Sequence, residues 1–253
     1  MNVYLDNAAT TPMLPEVVDA MLPYMRDHFG NPSSTHAFGR RTKTAIEQAR
    51  RRIATHLGVA PRTLCFTSGG TEADNMALHA SVEQLGCRRI LTCATEHKAV
   101  LTTAQHLAGE NGLAFGLLDL DSNGRIDLER LEATLSDGVP TLVSVMHGNN
   151  EVGILQDIEA IGHCCHRHDA LFHTDTVQTM GHYELDLASL PIDFAACSAH
   201  KLHGPKGAGF LYVRDGLRIG AHIMGGAQER AMRGGTENLI GIMGLATALA
   251  DKT

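Results

Sequence analysis

Seven short runs rich in β-branched and apolar residues alternate along this chain with helical patterns. That alternation constrains the fold more than any other feature. The runs are Thr63–Thr67, Arg89–Cys93, Ala114–Leu118, Thr141–Met146, Leu171–Thr174, Phe194–Ser198 and Gly209–Val213. Helical segments at Glu72–Gln84, Ala99–Glu110, Asp127–Leu135 and Ile158–His168 fill most of the gaps. Parallel strands need a crossover, usually a helix, so this order predicts an α/β fold with a mainly parallel sheet and helices on both faces. No helical pattern separates Phe194–Ser198 from Gly209–Val213, which predicts an antiparallel pair there. Upstream, Pro15–Arg26 and Arg40–Leu57 read as helices joined through the turn-forming run Gly30-Asn31-Pro32-Ser33-Ser34. This portion is expected to pack on the sheet or cover its cleft.

A chain of 253 residues can bury one large core. With 43% hydrophobic and 19% charged residues it has a globular composition. A net charge of −7 gives no support to a nucleic-acid or membrane-surface partner. No apolar stretch approaches the roughly 20 residues of a membrane span. The start, Met1-Asn2-Val3-Tyr4-Leu5-Asp6, lacks the pattern of a secretory signal, so the expected location is cytoplasmic. Six scattered cysteines with no CxxC pair read as reduced thiols.

Only five lysines occur, and one of them, Lys201, sits between His200 and the Leu202-His203-Gly204-Pro205 turn at the end of a predicted strand. Such a lysine suits an amine that must reach a carbonyl in a cleft, as a lysine that anchors pyridoxal phosphate does. A solvated turn lysine is the competing reading. In open α/β sheets ligands bind beyond the carboxyl ends of the strands. Five strand ends here carry phosphate-binding or titratable groups: Ser68-Gly69-Gly70-Thr71-Glu72, Glu96-His97-Lys98, His147–Glu151, Thr174–Gln178 and Ser198–Lys201. Gly70 and Thr71 open a helix whose free N–H groups and dipole suit a phosphate, and Ser198 and His200 can complete that cup. Asp175 suits a pyridine nitrogen, because a negative partner keeps that nitrogen protonated. His97 can stack on a flat ring and move protons. Taken singly, Asp175 also reads as a turn residue, His97 as a strand-end histidine, and Ser68–Thr71 as a helix cap.

The ordered set of motifs resembles the pyridoxal-phosphate cysteine desulfurases that supply sulfur for iron–sulfur cluster assembly. It comprises Val3-Tyr4-Leu5-Asp6-Asn7-Ala8-Ala9-Thr10-Thr11, Gly30-Asn31-Pro32-Ser33-Ser34 with His36, Thr67–Glu72, Glu96-His97 and Asn149–Gly153. His173-Thr174-Asp175 with Gln178, His200-Lys201 with Gly204–Gly207, and Gln228–Arg230 with Arg233–Asn238 complete it. The resemblance implies a fold-type-I large domain over residues 15–253, preceded by an N-terminal arm at 1–14. It implies catalytic roles for Lys201 and His97. It implies cofactor contacts from Gly70, Thr71, His97, Asn150, Asp175, Gln178, Ser198, His200 and Lys201. Thr236 would reach the phosphate of a neighbouring subunit, hence a homodimer. L-cysteine would be the substrate, and an iron–sulfur scaffold or another sulfur-acceptor protein the partner. No metal ligands are assigned.

The resemblance also implies a C-terminal small domain with a nucleophilic cysteine loop and a substrate-binding arginine. Neither pattern occurs in these residues. The chain is therefore expected to be a truncated form that cannot complete desulfuration alone, with apolar surface exposed around Ile240–Ala250. Selenocysteine lyase or another pyridoxal-phosphate β-lyase is an alternative, as is a catalytically incomplete cofactor-binding scaffold. The run His163-Cys164-Cys165-His166-Arg167-His168 offers a competing metal-binding reading, with His163 and His166 three apart on one helix face.

Overall fold

The computed structural model describes residues 1–250. Seven strands form one sheet: β1 (Leu64–Thr67), β2 (Arg89–Thr92), β3 (Ala114–Leu117), β4 (Thr141–Ser144), β5 (Leu171–Asp175), β6 (Phe194–Ser198) and β7 (Gly209–Val213). Their spatial order is β1-β7-β6-β5-β4-β2-β3. All neighbours are parallel except β7, which runs antiparallel to both β1 and β6. The expected antiparallel β6–β7 pair is present. Two antiparallel steps restore the original direction, so β1 points the same way as β6. Its carboxyl end therefore lies on the same edge as those of β2, β4, β5 and β6.

The helices are α1 (Pro15–Arg26), α2 (Ala37–His56), α3 (Gly70–Glu83), α4 (Lys98–Asn111), α5 (Leu128–Leu135), α6 (Ile158–Arg167) and α7 (Leu239–Ala250). Successive strand residues face opposite ways. Cys65, Ile90, Leu142, Phe194, Ala196 and Leu211 pack with α3 and α4. Phe66, Leu91, Val143, Phe172, Ala195 and Phe210 pack with α2, α5, α6 and α7 on the other face. Helices on both faces of a mainly parallel sheet are what the alternation predicts.

Several boundaries move, each for a local reason. Thr63 closes a 3₁₀ turn from Pro61 rather than opening β1. Asp127 caps α5, its side chain accepting from Arg130 N. The second helix begins three residues earlier than predicted, at Ala37, with His36 accepting from Gly39 N as its cap. Strand β4 ends at Ser144 instead of Met146, because its neighbour β2 ends at Thr92.

The expectation of exposed apolar surface around Ile240–Ala250 is overturned. A helix apolar on all sides needs partners on all sides. Helices α1 and α2 supply them, and Leu239, Ile242, Leu245, Ala246 and Leu249 are buried. The N-terminal helices thus pack on the sheet domain through α7.

Candidate functional site

The carboxyl edge of the sheet opens into a cavity of about 600 Å³. Its lining includes Gly70, Thr71, His97, Asn150, Asp175, Gln178, Ser198, His200 and Lys201. Nine of the ten cofactor-contact residues expected from sequence therefore meet in one place. Thr236 does not. It lines a smaller neighbouring cavity with Ser68, Gly207, Arg233 and Asn238.

Helix α3 presents its N-terminus to the cavity. Gly69 caps it at φ +153°, a conformation that L side chains rarely adopt. A Cβ on Gly70 would meet Val177 Cγ2 at 2.5 Å, so only glycine lets the helix start against the Val177 loop. The first N–H groups of a helix lack intrahelical partners and attract anions. Ser198, at the end of β6, and His200 stand beside them.

Asp175 ends β5, is buried, and accepts from Val177 N at 2.8 Å through Oδ1. Burial is the main cause that pushes its carboxyl up to about 7. His97 caps α4, its Nδ1 accepting from Ala99 N at 3.1 Å. That bond leaves Nε2 as the protonated nitrogen of the neutral ring. Asn150 is exposed at the cavity wall and donates to Glu151 Oε1 at 2.8 Å.

Lys201 follows β6 through a single 3₁₀ turn. Its Nζ donates to the carbonyls of Ala8 and, at 2.9 Å, Ala9. Burial lowers its affinity for a proton, opposed by the charges of Asp175 and Asp6. A lowered amine has more of the free base that attacks carbonyls. Burial and then the nearby Lys201 and Lys206 lower His200 in the same direction.

The first residues of the chain form the remaining wall. Thr11 N and Oγ1 donate to His200 O at 2.9 and 2.8 Å. Thr10 Oγ1 meets His200 Nδ1 at 3.1 Å, and His203 N donates to Thr11 Oγ1 at 2.8 Å. Gln178 Nε2 donates to Ala8 O at 3.1 Å. Sequence reasoning missed these carbonyls, which carry no side-chain signature. It also missed Asp74, which lines the cavity from α3. The available signal was spacing: Asp74 lies four residues after Gly70 and so shares its helix face.

The His163–His168 run does not assemble a metal site. His166 Nε2 lies 3.1 Å from Asp193, His163 lies 4.0 Å from Glu159, and Cys164 and Cys165 are buried in the core. Among the described residues no group of three or more His, Cys, Asp or Glu is placed to hold a metal. All six cysteines are free and buried. Burial raises the thiols of Cys65, Cys87, Cys164, Cys165 and Cys197.

A mainly parallel sheet with a lysine, an aspartate and a helix N-terminus at its carboxyl edge defines the fold-type-I class of pyridoxal-phosphate proteins. Within that class the chain belongs to the family described as aminotransferase class-V, which matches residues 3–250. It is 46% identical over 250 residues to the putative cysteine desulfurase IscS 1 of Bacillus subtilis, covering 98% of this chain and 65% of that protein. It is 44% identical to the cysteine desulfurase IscS of Dictyoglomus turgidum, covering 63% of it. The chain thus spans just under two thirds of the length of these relatives. Among solved structures, a NifS-like protein superposes with a TM-score of 0.94 at 41% identity, over 99% of this chain and 69% of that one. A structure of SspA in complex with cysteine gives 0.92 at 36% identity, over 98% of this chain and 72% of that one.

Proposed function

We propose that this chain is the cofactor-binding part of a pyridoxal-phosphate cysteine desulfurase, which converts L-cysteine to L-alanine and passes the sulfur on for iron–sulfur cluster assembly. The observation that carries this reading is the convergence of Lys201, Asp175, His97 and the α3 N-terminus on one cavity. Residues 1–14 act as an arm and the rest as the large domain.

The donor set fits the cofactor. A primary amine suits an aldehyde, a buried carboxylate suits a ring nitrogen, and a glycine-lined helix start suits a phosphate. When bound, pyridoxal phosphate supplies an electron sink for bonds at the substrate carbons. Lys201 would hold the cofactor and carry protons at those carbons. Asp175 would keep the proton on the ring nitrogen, and His97 would cover the ring face. Gly70, Thr71, Ser198 and His200 would bind the phosphate, and Gln178 the ring oxygen. Asn150 would contact cofactor or substrate. Thr236, standing outside its own cavity, would reach the phosphate of a second copy in a homodimer.

The sulfur needs an exposed thiolate as acceptor. With all six thiols buried, that group comes from outside these 253 residues, and an acceptor protein then takes the sulfur on. The six free thiols suit a reducing cytoplasm. No helix among the described residues is long and apolar enough to cross a membrane.

The test is the visible spectrum of the chain with added pyridoxal phosphate, before and after borohydride, beside Lys201→Ala. The expected result is a visible band that borohydride abolishes while fixing the cofactor covalently to the chain, that the variant lacks, and that L-cysteine perturbs. A protein that stays colourless, or a variant that forms the same fixed adduct, overturns the reading.

A further inference from the structure

Three carboxyl groups converge beneath the cavity from three elements. Asp74 comes from α3, Glu96 from the loop after β2, and Asp175 from the end of β5. All three are buried. Asp175 accepts from Val177 N, and Glu96 Oε1 accepts from Met146 N. Asp74 has no hydrogen-bond partner among the described residues. Its Oδ1 faces His173 Nε2 at 3.4 Å, and neither of these buried atoms is otherwise satisfied. His173 is itself fully buried on β5, with Nδ1 2.8 Å from Ser144 Oγ.

Asp74 faces His173 and stands near Asp175 and Glu96, and His97 and Lys201 share the cavity with it, near Asp175. An ionised carboxylate removed from water must be stabilised by donors or an opposite charge. Among the described residues no Lys or Arg lies within 4 Å of Asp74, His173 Nε2 offers it one long contact at 3.4 Å, and two other carboxyl groups stand near it. Burial pushes its carboxyl well up and pushes the His173 imidazole down, to about 4. A neutral imidazole can present a lone pair at Nε2, and a neutral acid can present the proton that fills the gap.

We propose that Asp74 is held as the neutral acid with its proton directed at His173 Nε2, so that Asp175 is the carboxylate that answers a ring nitrogen in the cavity. Asp74 is a positioning residue in this sense. It places a dipole, not a second charge, behind the group that must hold the proton of a bound base. The proposal rests on the pyridoxal-phosphate reading for its consequence, but not for the location of the proton.

Two measurements on the 253-residue chain test it. The first is infrared difference spectroscopy of the cofactor-free protein at pH 8, wild type against Asp74→Asn. The expected result is a carboxylic-acid carbonyl band present in the wild type and lost in the variant. Loss of carboxylate bands alone would mean that Asp74 is ionised, and would overturn the proposal. The second is the pH midpoint of the visible band after loading with pyridoxal phosphate. Exchanging a neutral acid for a neutral amide should leave that midpoint within about 0.3 pH unit, whereas removing a real charge should lower it by about one pH unit or more. A lowered midpoint overturns the proposal. If neither protein takes up the cofactor, the functional reading fails, while the infrared result still decides where the proton lies.

Discussion

Two buried clusters of titratable groups in this protein are built on opposite plans. On the α2 side, Glu229 receives both arms of the Arg50 guanidinium, at 2.7 and 2.8 Å, and Phe66 N at 2.7 Å. Arg50 also donates to Leu64 O at 2.9 Å and lies over the Phe66 ring. Every charge there has its partner. Beneath the cavity, Asp74, Glu96 and His173 each keep a buried polar atom unpaired. A satisfied buried pair fixes a shape. An unsatisfied one marks a place where a proton or a ligand completes the structure. The shape fixed by the first cluster is an unusual one: Glu229, Arg230 and Ala231 have φ of +45°, +56° and +63° without a glycine among them. Such backbone persists only where its surroundings over-determine it, and the Arg50 clamp does so.

The contrast can be broken most severely at Arg50. Arg50→Ala strands Glu229 without its counter-charge and should cost about 3–5 kcal/mol, visible as a large fall in Tm. A loss comparable to that of a surface substitution would mean that the cluster is not the clamp described.

Asp175→Asn should act in the opposite direction on the cofactor-free chain. A carboxyl raised from its ordinary value to about 7 binds its proton more tightly when folded. Stability then falls as pH rises through the window from about 4 to 7, and the amide removes that fall. At pH 8 the variant should be more stable by up to roughly 4 kcal/mol, with no gain near pH 4, as read from urea unfolding. A variant less stable than wild type at pH 8 would mean that the cavity floor is a structural cluster like the other.

The smallest effect is expected at Arg62, whose ion pair with Asp215 is exposed on both sides. Arg62→Ala should leave Tm within experimental error. A clear fall would show that exposure does not separate the pairs as argued.

Much of the site was legible because its chemistry is carried by side chains at strand ends, where periodicity changes from two to 3.6. Lys201, His97, Asp175 and Gly70–Thr71 announce themselves in this way. Element boundaries were less legible, because caps such as Gly69, His36 and Asp127 are set by hydrogen bonds that no residue type guarantees. The wall made by Ala8 and Ala9 was invisible, since main-chain carbonyls leave no mark in a sequence. The burial of α7 was misjudged for a related reason. Its apolar residues demanded cover, but only the packing of α1 and α2 shows that the cover lies within the described residues. Asp74 was missed because it lies about one hundred positions from Asp175, and only the fold makes them neighbours.

The Lys201 amine is bonded to carbonyls 193 and 192 positions earlier in the chain. During synthesis the arm therefore waits, without its docking surface, until nearly the whole sheet has left the ribosome. Loop closure over so long a span is a late event. The Thr11 and Leu14 amides, which donate to His200 O and His203 O, should be among the late ones to gain protection from exchange as the protein folds, so that the site opens and closes on its own clock, ahead of any loosening of the core.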